Sequence, residues 1–265
     1  MKKTILLTGS TDGIGKLAAI KLAKDGHEVY LHGRNAEKLK VVLSEVKSQC
    51  GNENIGSFTA DFSDLNAVKK MAEQVKREVR KLDVLTNNAG VFESPVAETD
   101  DDFDIRFAVN YFAPYLLTNA LLPLLKKGKG ARILNVSSAA QAPVSLKALE
   151  GDNDLSARSA YGQSKLALAM WNTHLSETEP QLTAIVVNPG SLLNTKMVEE
   201  AFGYHQSPAE KGGDILYELA VDERYEGASG QYFDNDDGAF GKLYSAARDR
   251  EAIATLIRHT EALLT

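Results

Sequence analysis

A short apolar run, Thr4-Ile5-Leu6-Leu7, leads directly into Thr8-Gly9-Ser10-Thr11-Asp12-Gly13-Ile14-Gly15, and Lys16 to Leu22 follows with helical periodicity. A buried strand, a glycine turn and a helix N-terminus in that order make a phosphate site, because unpaired backbone N–H groups and the helix dipole meet at the turn. Gly9 lets the chain turn tightly, Gly13 removes a Cβ where a pyrophosphate must approach, and Gly15 lets helix and strand pack closely. A glycine turn of this kind also occurs as a bare structural element, so the stretch needs support from the rest of the chain.

The rest of the chain repeats the pattern. Apolar runs of a few residues alternate with longer amphipathic segments, which predicts an α/β fold: a doubly wound, mostly parallel, seven-stranded sheet with helices on both faces. Strands are expected at Thr4–Leu7, His27–Leu31, Ile55–Ala60, Val84–Thr86, Arg132–Val136, Thr183–Val187 and Gly230–Phe233. Helices are expected at Gly13–Lys24, Ala36–Ser48, Leu65–Arg80, Asp100–Lys126, Ser159–Glu177, Pro208–Val221 and Ala246–Leu264. Asn35, Ser63-Asp64 and Ser207-Pro208 supply helix-starting chemistry, and Gly26 a stop. Ala139–Arg158 and Gly190–Gly203 read as long loops after strands, where function concentrates. With 265 residues and no linker-like composition shift, residues 1–265 form one domain.

Net charge is −6 and spread along the chain, so neither nucleic acid nor an anionic membrane surface is an expected partner. The single cysteine, Cys50, excludes an intrachain disulfide and suits a reducing, cytoplasmic compartment. No stretch reads as a membrane span. The five histidines lack metal-ligand spacing, and Asp234–Gly238 lacks the first and twelfth carboxylates of a calcium loop, so no metal is expected and that stretch reads as a turn.

The candidate site residues follow the strand ends. Gly33-Arg34 closes the second strand, where a dinucleotide fold meets the adenosine ribose. An acidic residue there would repel a 2′-phosphate, whereas the Arg34 guanidinium can grip one. NADP(H) is therefore favoured, with NAD(H) the alternative. Asp12 argues the other way: about 6 Å from a 2′-phosphate it costs on the order of 2 kcal/mol unless Arg34 or Lys16 screens it. Asp61, beside Phe62, either accepts from an adenine amine or caps the next helix. Asn87-Asn88-Ala89-Gly90 either ties neighbouring strand ends and leaves room for a cofactor, or is an Asn-Gly turn.

Tyr161-Gly162-Gln163-Ser164-Lys165 puts a phenol and an ammonium one helical turn apart. Bringing a phenol from a pKa near 10 to about 7 takes about 4 kcal/mol. One positive charge about 5 Å away supplies roughly 3 kcal/mol at an effective dielectric near 20. Nine tyrosines make one such spacing expected by chance, but the company is informative. Ser138 ends the fifth strand without the histidine or Gly-x-Ser-x-Gly context of a hydrolase. Asn110 is polar inside an apolar helix, either functional or a backbone brace, and Asn188-Pro189-Gly190 opens the second long loop.

Taken together, TGSTDGIG, NNAG, the Val109-Asn110 pair, NVSS, YGQSK and NPG resemble, in order and approximate spacing, the short-chain dehydrogenase/reductase family of compact subtype. LTNALLPLL, AYGQSKLA and the long gap before Tyr161 look like its retinol-dehydrogenase-like branch. The resemblance implies hydride transfer between a nicotinamide dinucleotide and a small carbonyl or alcohol substrate. By position it makes Tyr161 the general acid/base, Ser138 the group that positions substrate oxygen, Lys165 the residue that lowers the tyrosine pKa, and Asn110 the holder of a relay water. Gly9, Ser10, Thr11, Gly13, Ile14, Gly15, Arg34, Asp61, Phe62, Asn88, Ala89, Gly90, Tyr161, Lys165, Pro189, Gly190 and Thr195 would line the cofactor. It also implies homodimers or homotetramers through two helices beside the site, although the apolar residues of the Ser159 helix could equally be core. Gly190 to Thr195 is one residue longer than the common spacing. Leu192, Leu193, Met197, Val198 and Phe202 read either as an apolar lid favouring a lipophilic substrate or as core. A cofactor-sensing protein without turnover, and a lyase or isomerase using the same residues, are the alternative functions.

Overall fold

The computed structural model describes residues 1–151 and 155–265. Eight strands form one sheet: β1 (Thr4–Leu7), β2 (Glu28–Gly33), β3 (Ile55–Thr59), β4 (Val84–Asn87), β5 (Arg132–Val136), β6 (Thr183–Asn188), β7 (Tyr232–Asp234) and β8 (Ala239–Gly241). Their order is β3-β2-β1-β4-β5-β6-β7-β8, parallel throughout except for the antiparallel β7–β8 pair. The expected seven strands are all present, and β8 is the addition. Its three residues are too few for a period to show, and it exists because the 234–238 turn folds the chain back onto β7.

Helices cover both faces. Strand residues alternate between them: Ile5, Leu7, Leu134, Ile185 and Val187 pack into one core, and Leu6, Ile133, Ala184 and Val186 into the other. The first face carries α1 (Gly13–Lys24), α2 (Ala36–Cys50) and, from later in the chain, the helix at Ala209–Val221. The second carries α3 (Leu65–Glu78), a long helix of three parts, and later helices. That long helix runs as α4 (Ile105–Phe107), a π-turn segment at Ala108–Phe112, and α5 (Ala113–Leu125). By length and composition Ile105–Leu125 could cross a membrane, contrary to the sequence reading, but most of it is buried inside the protein.

The remaining helices are α6 (Leu146–Leu149), α7 (Ala157–Thr178), α8 (Lys196–Phe202), α9 (Ala209–Val221) and α10 (Arg250–Leu264). Two of these correct the sequence reading: α6 lies within the first expected long loop and α8 within the second. Thr195 starts α8, its hydroxyl accepting from the Val198 N–H. Caps move the other boundaries. Asp104 starts the long helix later than expected, and Asp249 delays α10, which follows a short 3₁₀ turn at Ser245–Arg248. Ser207 does not cap α9; Pro208 takes that place without a side-chain bond. Asn35 and Asp64 cap as expected, accepting from Lys38 N and from Asn66 N and Ala67 N.

Strand order reverses between β1 and β4, and a crevice for a ligand opens outside the carboxyl ends of those strands. Buried His32 ties the neighbouring tips together. Its Nδ1 accepts from the Gly9 N–H (3.1 Å), so the neutral ring carries its proton on Nε2, which donates to the Ala60 carbonyl (3.1 Å). Burial pushes its pKa down to about 4. The unfolded chain, with an ordinary histidine pKa near 6.5, therefore binds this proton first as pH falls. His32 should withdraw about 3 kcal/mol of stability between pH 6.5 and pH 4. In urea unfolding, wild type and His32→Asn should accordingly differ less at pH 4.5 than at pH 7. A difference independent of pH would mean that His32 does not titrate across folding.

Candidate active site

The glycine turn is built from outside itself. Asn88 Nδ2 donates to the carbonyls of Thr8 and Gly9, both at 2.9 Å, while the Thr8 hydroxyl accepts from the N–H groups of Asn88 and Ala89. Ser10 joins the β2 tip, its hydroxyl accepting from the His32 N–H at 2.8 Å. At Gly9 (φ +63°) a Cβ would stand 2.7 Å from Ala89 Cα, and at Gly15 it would strike the Gly9 carbonyl and Asn88 Nδ2. Both glycines thus serve strand–helix packing. Gly13 faces Thr195, whose Cγ2 is 3.5 Å from where its Cβ would be, which brings α8 beside the turn.

Asp12 caps α1, accepting from the Gly13 N–H at 2.9 Å, and its other oxygen pairs with Lys38 Nζ at 2.6 Å. That bond from Lys38, first among several causes, holds the Asp12 carboxyl below the usual range. Lys16, one of the two expected screening groups, instead pairs with Glu45 at 2.7 Å. Thr11 backs onto Gly33. Arg34 follows on the surface and makes no ion pair among the described residues. Asp61 does not cap α3; its Oδ1 accepts from the Ser63 N–H and hydroxyl. Phe62 is buried and stacks on His32 with centroids 4.2 Å apart, so its ring braces the turn rather than lining a groove.

A chain of buried amides crosses the carboxyl edge of the sheet. Asn87 donates to Thr118 Oγ1 and Asn135 Oδ1, Asn135 donates to Asn172 Oδ1, and Asn172 donates to the Ala184 carbonyl. Ser137 Oγ donates to the Lys165 carbonyl and seats α7 on β5.

Tyr161, Lys165, Ser138 and Asn110 converge on this edge. Lys165 Nζ lies 5.6 Å from the Tyr161 ring centre and donates to the Val136 carbonyl at 2.9 Å. Gly90 is packed between Asn110 and Lys165: a Cβ there would be 3.2 Å from Asn110 Oδ1 and 3.4 Å from Lys165 Nζ. Burial pushes the Tyr161 phenol up and the Lys165 ammonium down to about 7, while the Ser138 hydroxyl favours the phenolate. The support that Lys165 is expected to lend the phenolate is opposed by burial. Both groups leave water together, and desolvation is the first cause of each shift.

Asn110 braces the backbone around it. Its Oδ1 accepts from the Val91 N–H, and its two amide hydrogens go to the Val91 carbonyl and Ser164 Oγ, which leaves the second lone pair of Oδ1 as its side-chain group toward a water. It sits in the π-turn segment, an irregularity frequent at functional sites.

Around the mouth, Phe92 stacks at 4.5 Å from Tyr161 and 5.5 Å from Phe202 of α8. The buried pair Arg106–Asp104 fixes this segment, with Arg106 Nε donating to the Phe92 carbonyl at 2.8 Å. Of the expected lid residues, Leu193 is core, whereas Phe202 is 42% exposed. Leu192 takes a left-handed conformation (φ +48°), and its carbonyl accepts from the N–H groups of Gln206 and Ser207. This bend accommodates the long Gly190–Thr195 spacing.

Neither Phe92 nor Arg106 stood out in the sequence, and nor did Asp236, in the turn between β7 and β8. Asp236 accepts from the Ser191 N–H (2.8 Å), the Ser191 hydroxyl and Asn188 Nδ2 (3.0 Å), clamping the Pro189-Gly190-Ser191 corner. Asn235 holds the same corner through the Pro189 carbonyl. Asp236→Ala should cost about 2 kcal/mol in denaturant unfolding and quicken proteolytic cutting between Ser191 and Gly203. Unchanged cutting would show that the corner holds itself.

Comparison with known proteins agrees with this geometry. Residues 3–204 match the short chain dehydrogenase family. Polyprenol dehydrogenase of Homo sapiens is 32% identical over 255 residues, which are 88% of this chain and 77% of that protein. Retinol dehydrogenase 13 of Mus musculus is 34% identical over 273 residues, 95% of this chain and 80% of that protein. A short chain dehydrogenase of Shigella flexneri 2a, solved in complex with NADP, superposes with a TM-score of 0.71 at 28% identity, covering 88% of this chain and 97% of that one. The chain belongs to the short chain dehydrogenase family, whose members are oxidoreductases that bind NAD(P)(H).

Proposed function

We propose that the protein transfers hydride between NADP(H) and an apolar carbonyl or alcohol substrate, with Tyr161 as general acid/base. The observation that carries the proposal is the convergence of Tyr161, Ser138 and Lys165 at the carboxyl edge of the sheet, with Phe92 and Phe202 beside them. The residues fit a dinucleotide. The close-packed Gly9 and Gly15 open α1 toward the crevice, and Arg34 stands without an ion pair at the β2 tip. Gly9, Ser10, Thr11, Gly13, Ile14 and Gly15 would hold the pyrophosphate and Arg34 the 2′-phosphate. Asn88, Ala89, Gly90, Pro189, Gly190 and Thr195 would bound the remainder, and Lys165 would meet the nicotinamide ribose.

When bound, the nicotinamide supplies or accepts the hydride. In reduction, Tyr161 gives its proton to the substrate oxygen as that oxygen gains charge, and Ser138 donates a second hydrogen bond to the same oxygen. The raised phenol pKa keeps that proton in place until charge develops on the oxygen. The names of the two curated relatives specify retinol and polyprenol, both apolar alcohols, which accords with an aromatic mouth here. Following NADPH absorbance against aliphatic and isoprenoid aldehydes, Tyr161→Phe should lower kcat by about 10²-fold to 10⁴-fold and leave NADPH binding intact. Unchanged turnover would remove Tyr161 from the chemistry.

We further propose that the protein is cytoplasmic. The lone cysteine accords with a reducing compartment. Leu166, Leu168, Ala169, Met170 and Trp171, the α7 residues an oligomer could have used, are all buried within one chain. The α10 stripe Ile253, Leu256, Ile257 and Thr260 is buried too, with Thr260 bonded to Tyr111 at 2.7 Å. Association of copies is read by light scattering after gel filtration, where the mass of one chain would exclude it. A stable dimer would instead support the dimer or tetramer that the sequence resemblance implied.

A further inference from the structure

We propose that Lys38 is a specificity-determining residue for the cofactor, making the tip of β2 acceptable to a 2′-phosphate by neutralising Asp12. This rests on the NADP(H) reading above. Three charged side chains bear on that tip: Arg34, Asp12 and Lys38. Asn35 accepts from the Lys38 N–H, seating Lys38 on the first turn of α2. From there its ammonium crosses to the glycine turn and meets Asp12 Oδ2 at 2.6 Å. The other cation acting on Asp12, Lys16, does so from a distance while paired with Glu45, and Lys38 is the one in contact.

With Lys38 in place, Asp12 is cancelled and Arg34 leaves the tip with one net positive charge. Without it, Arg34 and Asp12 sum to zero, and a doubly charged phosphate meets a carboxylate that has lost its ion-pair partner. NADH shares the pyrophosphate but lacks the 2′-phosphate, so it presents less charge to this balance. Lys38 should therefore act chiefly on NADPH. Its position explains how a chain with an acidic glycine turn accommodates a phosphorylated cofactor, and why Asp12 can remain as the cap of α1.

The test is equilibrium titration of the free protein with NADPH and with NADH, read by fluorescence, for wild type, Lys38→Met, Lys38→Arg, Asp12→Asn, the Lys38→Met/Asp12→Asn double variant and Arg34→Ala. Lys38 is half-exposed and Asn still caps a helix, so folding should persist, checked by Tm. Lys38→Met should weaken NADPH at least tenfold and NADH less than twofold. Lys38→Arg should retain the preference, and the double variant should regain most of the NADPH affinity. Equal losses for both cofactors in Lys38→Met, or no recovery in the double variant, would overturn the assignment of Lys38. Arg34→Ala separates the two readings. If it too leaves the NADPH-to-NADH ratio unchanged, the 2′-phosphate reading itself fails; if it alone abolishes the ratio, only the role of Lys38 does.

Discussion

The backbone of Gly9 is the point on which the site depends. Its N–H is held by a neutral buried imidazole, its carbonyl by Asn88, and its missing Cβ by the passage of Ala89. The turn after β1 is thereby bolted to β2 through His32 and to β4 through Asn88, the two strands on either side of β1. Without those bonds a glycine-rich loop would be free to move, and α1 would present its N-terminus in no fixed direction. A phosphate site made of backbone dipoles works only if the backbone is already in position. The structure meets that requirement with His32 and Asn88, whose hydrogen bonds to the turn are made within the protein.

The catalytic edge follows the same economy. The amides from Asn87 to Asn172 join three strands and α7, and Ser137 pins α7 at Lys165. Side chains that resembled site residues in the sequence turn out to divide their labour. Tyr161, Ser138 and Lys165 meet at the sheet edge, whereas Asn110 ties down the backbone of Val91 and Phe62 stacks on His32. Burial is what pushes the tyrosine's pKa up and the lysine's down.

The charge pattern around the turn illustrates how pairing decides function. Asp12 reads from the sequence as an obstacle to a 2′-phosphate, with Lys16 a nearby screen. In the fold Lys16 belongs to Glu45 on α2, and Lys38, from 26 residues further on, takes Asp12. Which cation meets which anion depends on the angle at which α2 leaves β2, and no spacing along the chain encodes that angle.

Much of the architecture was legible because its signals are local. Apolar runs, glycine turns and caps such as Asn35 and Asp64 act within a few residues, and they placed seven strands and the principal helices to within a few residues of their ends. The motif order placed Tyr161, Ser138 and Lys165 together for the same reason, each being the end of a strand or one turn of a helix. What remained hidden was long-range. β8 is stabilised by a partner strand, α8 by packing against the glycine turn, and the corner at Gly190 by an aspartate 45 residues away. Phe92 owes its place over Tyr161 to the buried Arg106–Asp104 pair. The sequence by itself determined the sheet, the turn and the reactive residues, since periodicity and backbone chemistry are properties of short segments. Only the tertiary structure decided which polar groups lose their water, and with it the direction in which the Tyr161 and Lys165 pKa values move and the partner of Asp12, because desolvation is a property of everything that packs around a group.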